Sequence, residues 1–101
     1  MNDRTLMTEG QLEAALERLN AGLEKPWDVR DGTLYKEFRF RDFSEAFGFM
    51  SRAALAAEQA DHHPYWCNVY RTVTVHLSTH DAGGITALDF ALAGRMESLV
   101  G

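Results

Sequence analysis

A chain of 101 residues, 46% apolar and 25% charged, has the composition of a single globular domain and leaves no room for a second. Fifteen acidic against ten basic residues give a net charge of −5, which argues against nucleic acid and anionic membrane surfaces as partners, since both need clustered Lys and Arg. Cys67 is the single cysteine, so no internal disulfide can form, and no apolar run approaches the ~18 residues of a membrane span.

The first readable element begins at Thr8. Thr8-x-x-Gln11 fits a capping box, in which each side chain satisfies a backbone donor of the other residue. Leu12, Ala15, Leu16, Leu19 and Leu23 follow at helical spacing, and Gly22 with Lys25-Pro26 ends the helix. The N-terminal Met1–Leu6 lacks the basic-then-apolar order of a signal peptide, so the expected compartment is the cytoplasm.

Trp27–Arg30 is short and partly alternating. Asp31-Gly32 is a strong two-residue hairpin signal, because such turns need positive φ. The return strand is expected from Thr33 to about Arg41, with Leu34, Lys36, Phe38 and Phe40 on one face and Tyr35, Glu37, Arg39 and Arg41 on the other. Asp42-x-x-Glu45 opens the longest helix, whose expected apolar stripe is Phe43, Ala46, Phe47, Met50, Ala53, Ala54 and Ala57. It must stop near Asp61, because His63 precedes Pro64.

Trp66–Thr79 is strand-rich, with Val69, Val73, Val75 and Leu77 in phase. The pattern fits one long strand or two with a tight turn near Arg71-Thr72. His80–Gly84 reads as a loop. Thr86-x-x-Asp89 caps a last helix with Leu88, Leu92, Met96 and Leu99 on its apolar face. The order is α-β-β-α-β(β)-α, an α+β two-layer domain spanning residues 1–101. A domain this small buries a limited share of its surface, which favours homo-oligomerisation.

All four histidines lie between positions 62 and 80: His62, His63, His76 and His80. Imidazole gives or takes a proton near neutral pH. His62 and His63 sit at a helix exit stiffened by Pro64, and His80 sits where a strand runs into a Gly-Gly loop. Glu58 precedes His62 by four residues, a spacing that would let it fix the ring if the last helical turn persists. Asp61, Asp81 and Asp89 are further acidic candidates. His76-x-x-x-His80 would suit a metal only on a helix, since on a strand the two Cα atoms lie ~13 Å apart. His76 shares its parity with Tyr70, Thr72 and Thr74, as an exposed or interface strand residue would. Cys67, in an aromatic stretch, reads as a small buried hydrophobe, and Ser78 has no nucleophile-elbow motif around it. The phenylalanine series Phe38, Phe40, Phe43, Phe47 and Phe49 reads mostly as core. These residues point to an acid-base site of two or three histidines, without a metal or cofactor.

Asp61-His62-His63-Pro64-x-Trp66-x-Asn68-Val69-Tyr70 and Ser78-Thr79-His80-Asp81-x-Gly83-Gly84-Ile85-Thr86-x-x-Asp89 together resemble the pterin-4a-carbinolamine dehydratase family. The segment Phe38-x-Phe40-x-Asp42-Phe43-x-x-Ala46-Phe47-x-Phe49-Met50 resembles the strand-to-helix segment of that family, and the likeness runs from about Leu6 to Leu99. The resemblance implies an α-β-β-α-β-β-α fold, with a four-stranded antiparallel sheet and helices on one face. It implies a homodimer through sheet extension or a tetramer of helix-packed dimers. It also implies the reaction, loss of water from a 4a-hydroxytetrahydropterin to give the quinonoid dihydropterin, which recycles the pterin spent by aromatic amino-acid hydroxylases. On this resemblance His62, His63 and His80 are the catalytic set. Glu58 and Asp89 fall where the family has its site acids, and Asp61, Pro64, Trp66, Thr79 and Asp81 shape the site or bind substrate. No metal or cofactor is implied. Gln59 and Arg71-Thr72 depart from the more familiar family residues at positions away from the expected site. The alternative on the same fold is a non-catalytic role, since the family includes a dimerisation cofactor of a transcription factor and assembly factors for a carbon-fixing enzyme. Such members are expected to lose the histidine set, which is complete here.

Overall fold

The computed structural model describes residues 4–100. Helix α1 spans Glu9–Asn20, strands β1 and β2 span Asp28–Arg30 and Thr33–Arg39, and helix α2 spans Phe43–Ala60. Strands β3 (Tyr65–Val69) and β4 (Thr72–Leu77) follow, then a single 3-10 turn over His80–Ala82 and helix α3 (Ala87–Leu99). The strands form one antiparallel sheet in the order β1-β2-β4-β3.

The capping chemistry sets the helix starts. Thr8 accepts from the Gln11 N–H and Gln11 answers on the Thr8 N–H, while Thr86 and Asp89 repeat the arrangement at α3. At α2 Asp42 accepts from the Glu45 N–H, but Glu45 Oε1 reaches back to the Arg41 N–H, at 2.7 Å. After α1 the Asn20 side chain both accepts from the Trp27 N–H and donates to the Trp27 carbonyl, which pins the entry to β1.

The core lies between the sheet and the helices. Register places Leu34 opposite Leu77, Lys36 opposite Val75 and Phe38 opposite Val73 on the helix-facing side. Ala46, Ala53, Ala56 and Ala57 of α2 are buried, and these small side chains let the helix lie close to the sheet. Phe49 is also fully buried, its ring 4.8 Å from that of Phe38 and 5.1 Å from that of Phe40. Ala46, Met50, Ala53 and Ala57 of the expected stripe face the core, but three of its members do not. Phe43 and Phe47, 49% and 56% exposed, meet each other with tilted rings outside the core, and Ala54 is exposed too.

Two further expectations change at the β3–β4 hairpin. The turn is Tyr70-Arg71, one residue earlier than expected, with Tyr70 at φ 52° and the Asn68 side chain donating to the carbonyls of Tyr70 and Thr72. The turn resets the alternation, so Val69 lies opposite Thr72 on the open face, out of phase with Val73. Cys67 shares that face opposite Thr74 and is exposed. The second strand also ends at Arg39, short of Arg41, although Phe40 remains buried and its N–H donates to the Arg71 carbonyl.

Lys36 is the one charged residue on the helix-facing side of β2. Its ammonium donates to the Lys25 carbonyl at 2.8 Å and to Glu97 Oε2 at 2.5 Å, and Trp27 Nε1 donates to the same Glu97 oxygen. A buried charge survives only when so paired. Glu97→Ala should destabilise the fold by ~3 kcal/mol in urea unfolding, because it strands the ammonium, whereas Lys36→Met with Glu97→Leu should recover most of the loss. The Asp42 carboxyl is held below its ordinary value of 3.8, chiefly by the Glu45 N–H. A lowered folded-state value adds stability above the ordinary one and loses it as pH falls through the lowered one. The stability gap between the wild type and Asp42→Ala should therefore narrow as pH drops below 3.8.

Candidate functional site

The exit of α2 turns one histidine inward and the next outward. Asp61 caps the helix in the left-handed conformation, at φ 51°, with its N–H on the carbonyls of Ala57 and Glu58. The His62 N–H also returns to the Ala57 carbonyl. Helical spacing therefore ends before His62. His62 is buried, 6% exposed, while the His63 side chain is 55% exposed. Glu58 accordingly meets His63, with Oε1 2.6 Å from Nε2, and not the expected His62.

His62 has a different partner. Its Nε2 lies 2.5 Å from Oδ1 of Asp89, a carboxylate with no exposed surface. The other oxygen, Oδ2, accepts from the Thr79 hydroxyl at 3.0 Å and from the Thr86 N–H at 2.9 Å. The Thr79 hydroxyl is committed to Asp89, so the Thr86 hydroxyl donates to it, at 2.7 Å, and accepts in turn from the Leu88 N–H. Every donor in this network points towards the carboxylate, which also sits at the positive end of α3. A ring nitrogen this close to a carboxylate needs a proton between them, which the network assigns to His62 Nε2.

His80 starts the 3-10 turn between β4 and α3. The turn closes through Gly83, at φ 77°, and through paired backbone hydrogen bonds between Thr79 and Gly84. A Cβ at Gly84 would come within 2.7 Å of Leu6 Cδ1, and the Met7 N–H donates to the Ile85 carbonyl. The segment before α1 is thereby strapped across this loop, and Arg4 reaches 3.9 Å from Asp81.

A cleft of about 210 Å³ is lined by His62, His63, His80, Asp61, Asp81, Ser78 and Arg4. The structure thus brings five of the expected site residues to one surface. Thr79 and Asp89 lie behind it, holding His62. Glu58 lies outside, on His63. Pro64 and Trp66 do not line the cleft; Trp66 sits opposite Val75 and packs against the core. His76 is separate, on the open sheet face between the rings of Tyr35 and Tyr65, with Nδ1 3.2 Å from the Thr33 hydroxyl. Among the described residues no three His, Cys, Asp or Glu side chains converge to hold a metal ion.

Arg4 was not anticipated, because long-range contacts such as the Met7–Ile85 hydrogen bond carry it to the cleft. Ser78 was weighed only as a nucleophile. Its signal was its place directly before Thr79-His80, where a strand-end hydroxyl faces the same opening.

The chain and its fold resemble known proteins. The family model for pterin 4 alpha carbinolamine dehydratase matches residues 5–99. A Solibacter usitatus protein with the provisional name pterin-4-alpha-carbinolamine dehydratase is 48% identical over 94% of this chain and 95% of its own. A Mesorhizobium japonicum protein with the same provisional name is 51% identical over 97% of both chains. A crystal structure from Brucella melitensis, described as a transcriptional coactivator/pterin dehydratase, superposes with a TM-score of 0.85 at 42% identity, covering 94% of this chain and 98% of that one. A pterin dehydratase-like RuBisCO assembly factor of the alpha-carboxysome shares the fold alone, with a TM-score of 0.63 at 21% identity over 79% of this chain and 93% of that one. Matched over nearly its whole length, the chain belongs to the pterin-4a-carbinolamine dehydratase family.

Proposed function

We propose that the protein dehydrates a 4a-hydroxytetrahydropterin to the quinonoid dihydropterin by acid-base catalysis at His62, His63 and His80. The observation that carries this reading is the buried His62–Asp89 pair opening onto a cleft that His63 and His80 also line. In the reaction a ring N–H gives up its proton, the carbon-to-hydroxyl bond at C4a breaks, and the hydroxyl leaves as water. One group must take a proton and another must give one.

His62 suits the base. Asp89 holds its Nε2–H, which orients the ring and stabilises the charge that proton uptake at Nδ1 creates. His80, exposed and with a side chain that has no hydrogen-bond partner among the described residues, suits the acid that protonates the leaving hydroxyl. His63, steadied by Glu58, orients the pterin. Asp61 and Asp81 bind at the rim, and Pro64 and Trp66 shape the approach of β3. The groups in this scheme require no metal or redox cofactor. The expected setting is cytoplasmic, downstream of an aromatic amino-acid hydroxylase that spends the pterin.

Self-association belongs to the same proposal. β3 is an edge strand with Tyr65 and Val69 each 75% exposed, and α2 leaves Phe43 and Phe47 uncovered. An exposed apolar edge strand is a ready template for pairing with a second chain. A homodimer through the sheet edge or a homotetramer through α2 would cover these surfaces.

Turnover of the histidine variants tests the chemistry. His62→Ala and His80→Ala should each lower kcat by ~10²–10⁴-fold, and His63→Ala should act mainly on KM. Near-wild-type rates in all three would end the proposal. Asp89→Asn should lower kcat and shift its pH profile, since an amide no longer dictates which ring nitrogen carries the proton; an unchanged profile would reduce Asp89 to a structural role. Light scattering of Phe47→Glu and Val69→Lys should each show a smaller assembly than the wild type, and a monomeric wild type would contradict self-association.

A further inference from the structure

The outer edge of β2 is longer than the strand that covers it. β1 pairs with Thr33, Leu34 and Tyr35 and stops at Asp28. It stops there because the Asn20 side chain holds both backbone groups of Trp27, and Pro26 has no N–H to give. Beyond Tyr35 the edge is bare as far as Arg39. The ladder fixes which groups it exposes. Arg30 and Thr33 close the two-residue turn as a hydrogen-bonded pair, so the backbone groups of Tyr35, Glu37 and Arg39 point to the outer edge and those of Lys36 and Phe38 to β4. The Phe40 N–H, on the Arg71 carbonyl, keeps that alternation. Glu37 and Arg39 thus each offer an N–H and a C=O with no strand beside them.

Two hollows follow this bare edge and meet at Lys25, Lys36 and Glu37. One, of about 290 Å³, runs beside Asp28 and Tyr35. The other, of about 280 Å³, lies between Phe38, Leu23 of the α1–β1 connection and Val100 after α3. We propose that this edge takes an extended segment of another protein as an added strand, antiparallel to β2, whose residues run acidic, apolar, basic. Backbone pairing with Glu37 and Arg39 supplies the register. The side chains supply the choice. Glu37 and Arg39 project from the open face of the sheet, both exposed, with carboxylate and guanidinium 3.9 Å apart. An antiparallel segment sets an acidic residue across from Arg39 and a basic one across from Glu37. The residue between them lies across from Phe38 and points to the helix-facing side, into the hollow of Leu23, Phe38 and Val100. Val100 is 40% exposed at that wall, so an apolar side chain there covers surface that the fold leaves in water.

A second copy of this chain is the poorer occupant. Glu37-Phe38-Arg39 would match itself in charge across a two-fold axis, but the residue facing the hollow would then be Phe38 of the second copy. Phe38 is 4% exposed and committed to its own core, so the hollow would stay unfilled. None of the residues along this edge lines the histidine cleft, and the surface is independent of the dehydratase reading.

The test is fluorescence anisotropy with a short labelled peptide in which threonines flank glutamate, valine and lysine, in that order. The wild type should bind it saturably below ~1 mM. The same peptide N-methylated at the glutamate and the lysine loses both amide donors to the ladder and should bind at least ~5-fold more weakly. Glu37→Lys combined with Arg39→Glu should weaken the first peptide by ~3–10-fold and prefer its charge-reversed version, with lysine, valine and glutamate. Both substitutions fall on exposed side chains, and an unchanged melting temperature checks that the variant stays folded. No saturable binding by ~1 mM, equal binding of the N-methylated peptide, or no switch of preference on charge reversal would overturn the proposal. So would light scattering in which Glu37→Lys alone dissociates a wild-type dimer, since the edge would then belong to a second copy.

Discussion

The buried carboxylate of Asp89 is the constraint on which the cleft depends. It accepts hydrogen bonds from three places in the chain: the ring of His62 after α2, the hydroxyl of Thr79 after β4, and the N–H of Thr86 at the start of α3. A carboxylate with no exposed surface is costly unless its oxygens are satisfied, and here one is met by a ring and the other by two donors. The start of α3 adds a favourable field. One side chain thus caps a helix, ties two loops together and fixes the orientation of an imidazole.

The arrangement of the histidines follows from that tie and from one backbone residue. Asp61 takes the left-handed conformation, so the chain leaves α2 at an angle that sends His62 in and His63 out. His62 meets a buried acid and His63 an exposed one, Glu58. Adjacent, chemically identical residues thereby acquire different surroundings. His80 has neither partner and approaches from the loop strapped by Leu6 and Met7.

Much of this was legible in the sequence because it is local. The capping boxes at Thr8 and Thr86 and the Asp31-Gly32 turn rest on residues within a few positions of each other. What sequence reasoning missed depends on tertiary contacts or on a single change of phase. Ala46, Met50, Ala53 and Ala57 of the expected α2 stripe do face the core, but Phe49 packs its ring against Phe38 and Phe40 and leaves Phe43 and Phe47 outside. Val69 falls out of phase with Val73 because the hairpin turn resets a two-residue alternation, and Cys67, expected to be buried in its aromatic stretch, lies on the same open face. Glu58 was paired with the wrong histidine because helical spacing was carried to His62, two residues past the end of α2 at Ala60. Lys36 could be placed on the apolar face, but its partners Lys25 and Glu97 come from distant segments.

The most direct test is the rate at which enzymatically generated 4a-hydroxytetrahydropterin loses water, followed by ultraviolet absorbance with and without the protein, in the presence of a chelator. The account predicts a clear acceleration that survives the chelator. No acceleration by a folded sample would contradict it and would leave the histidine cleft as a binding site without turnover.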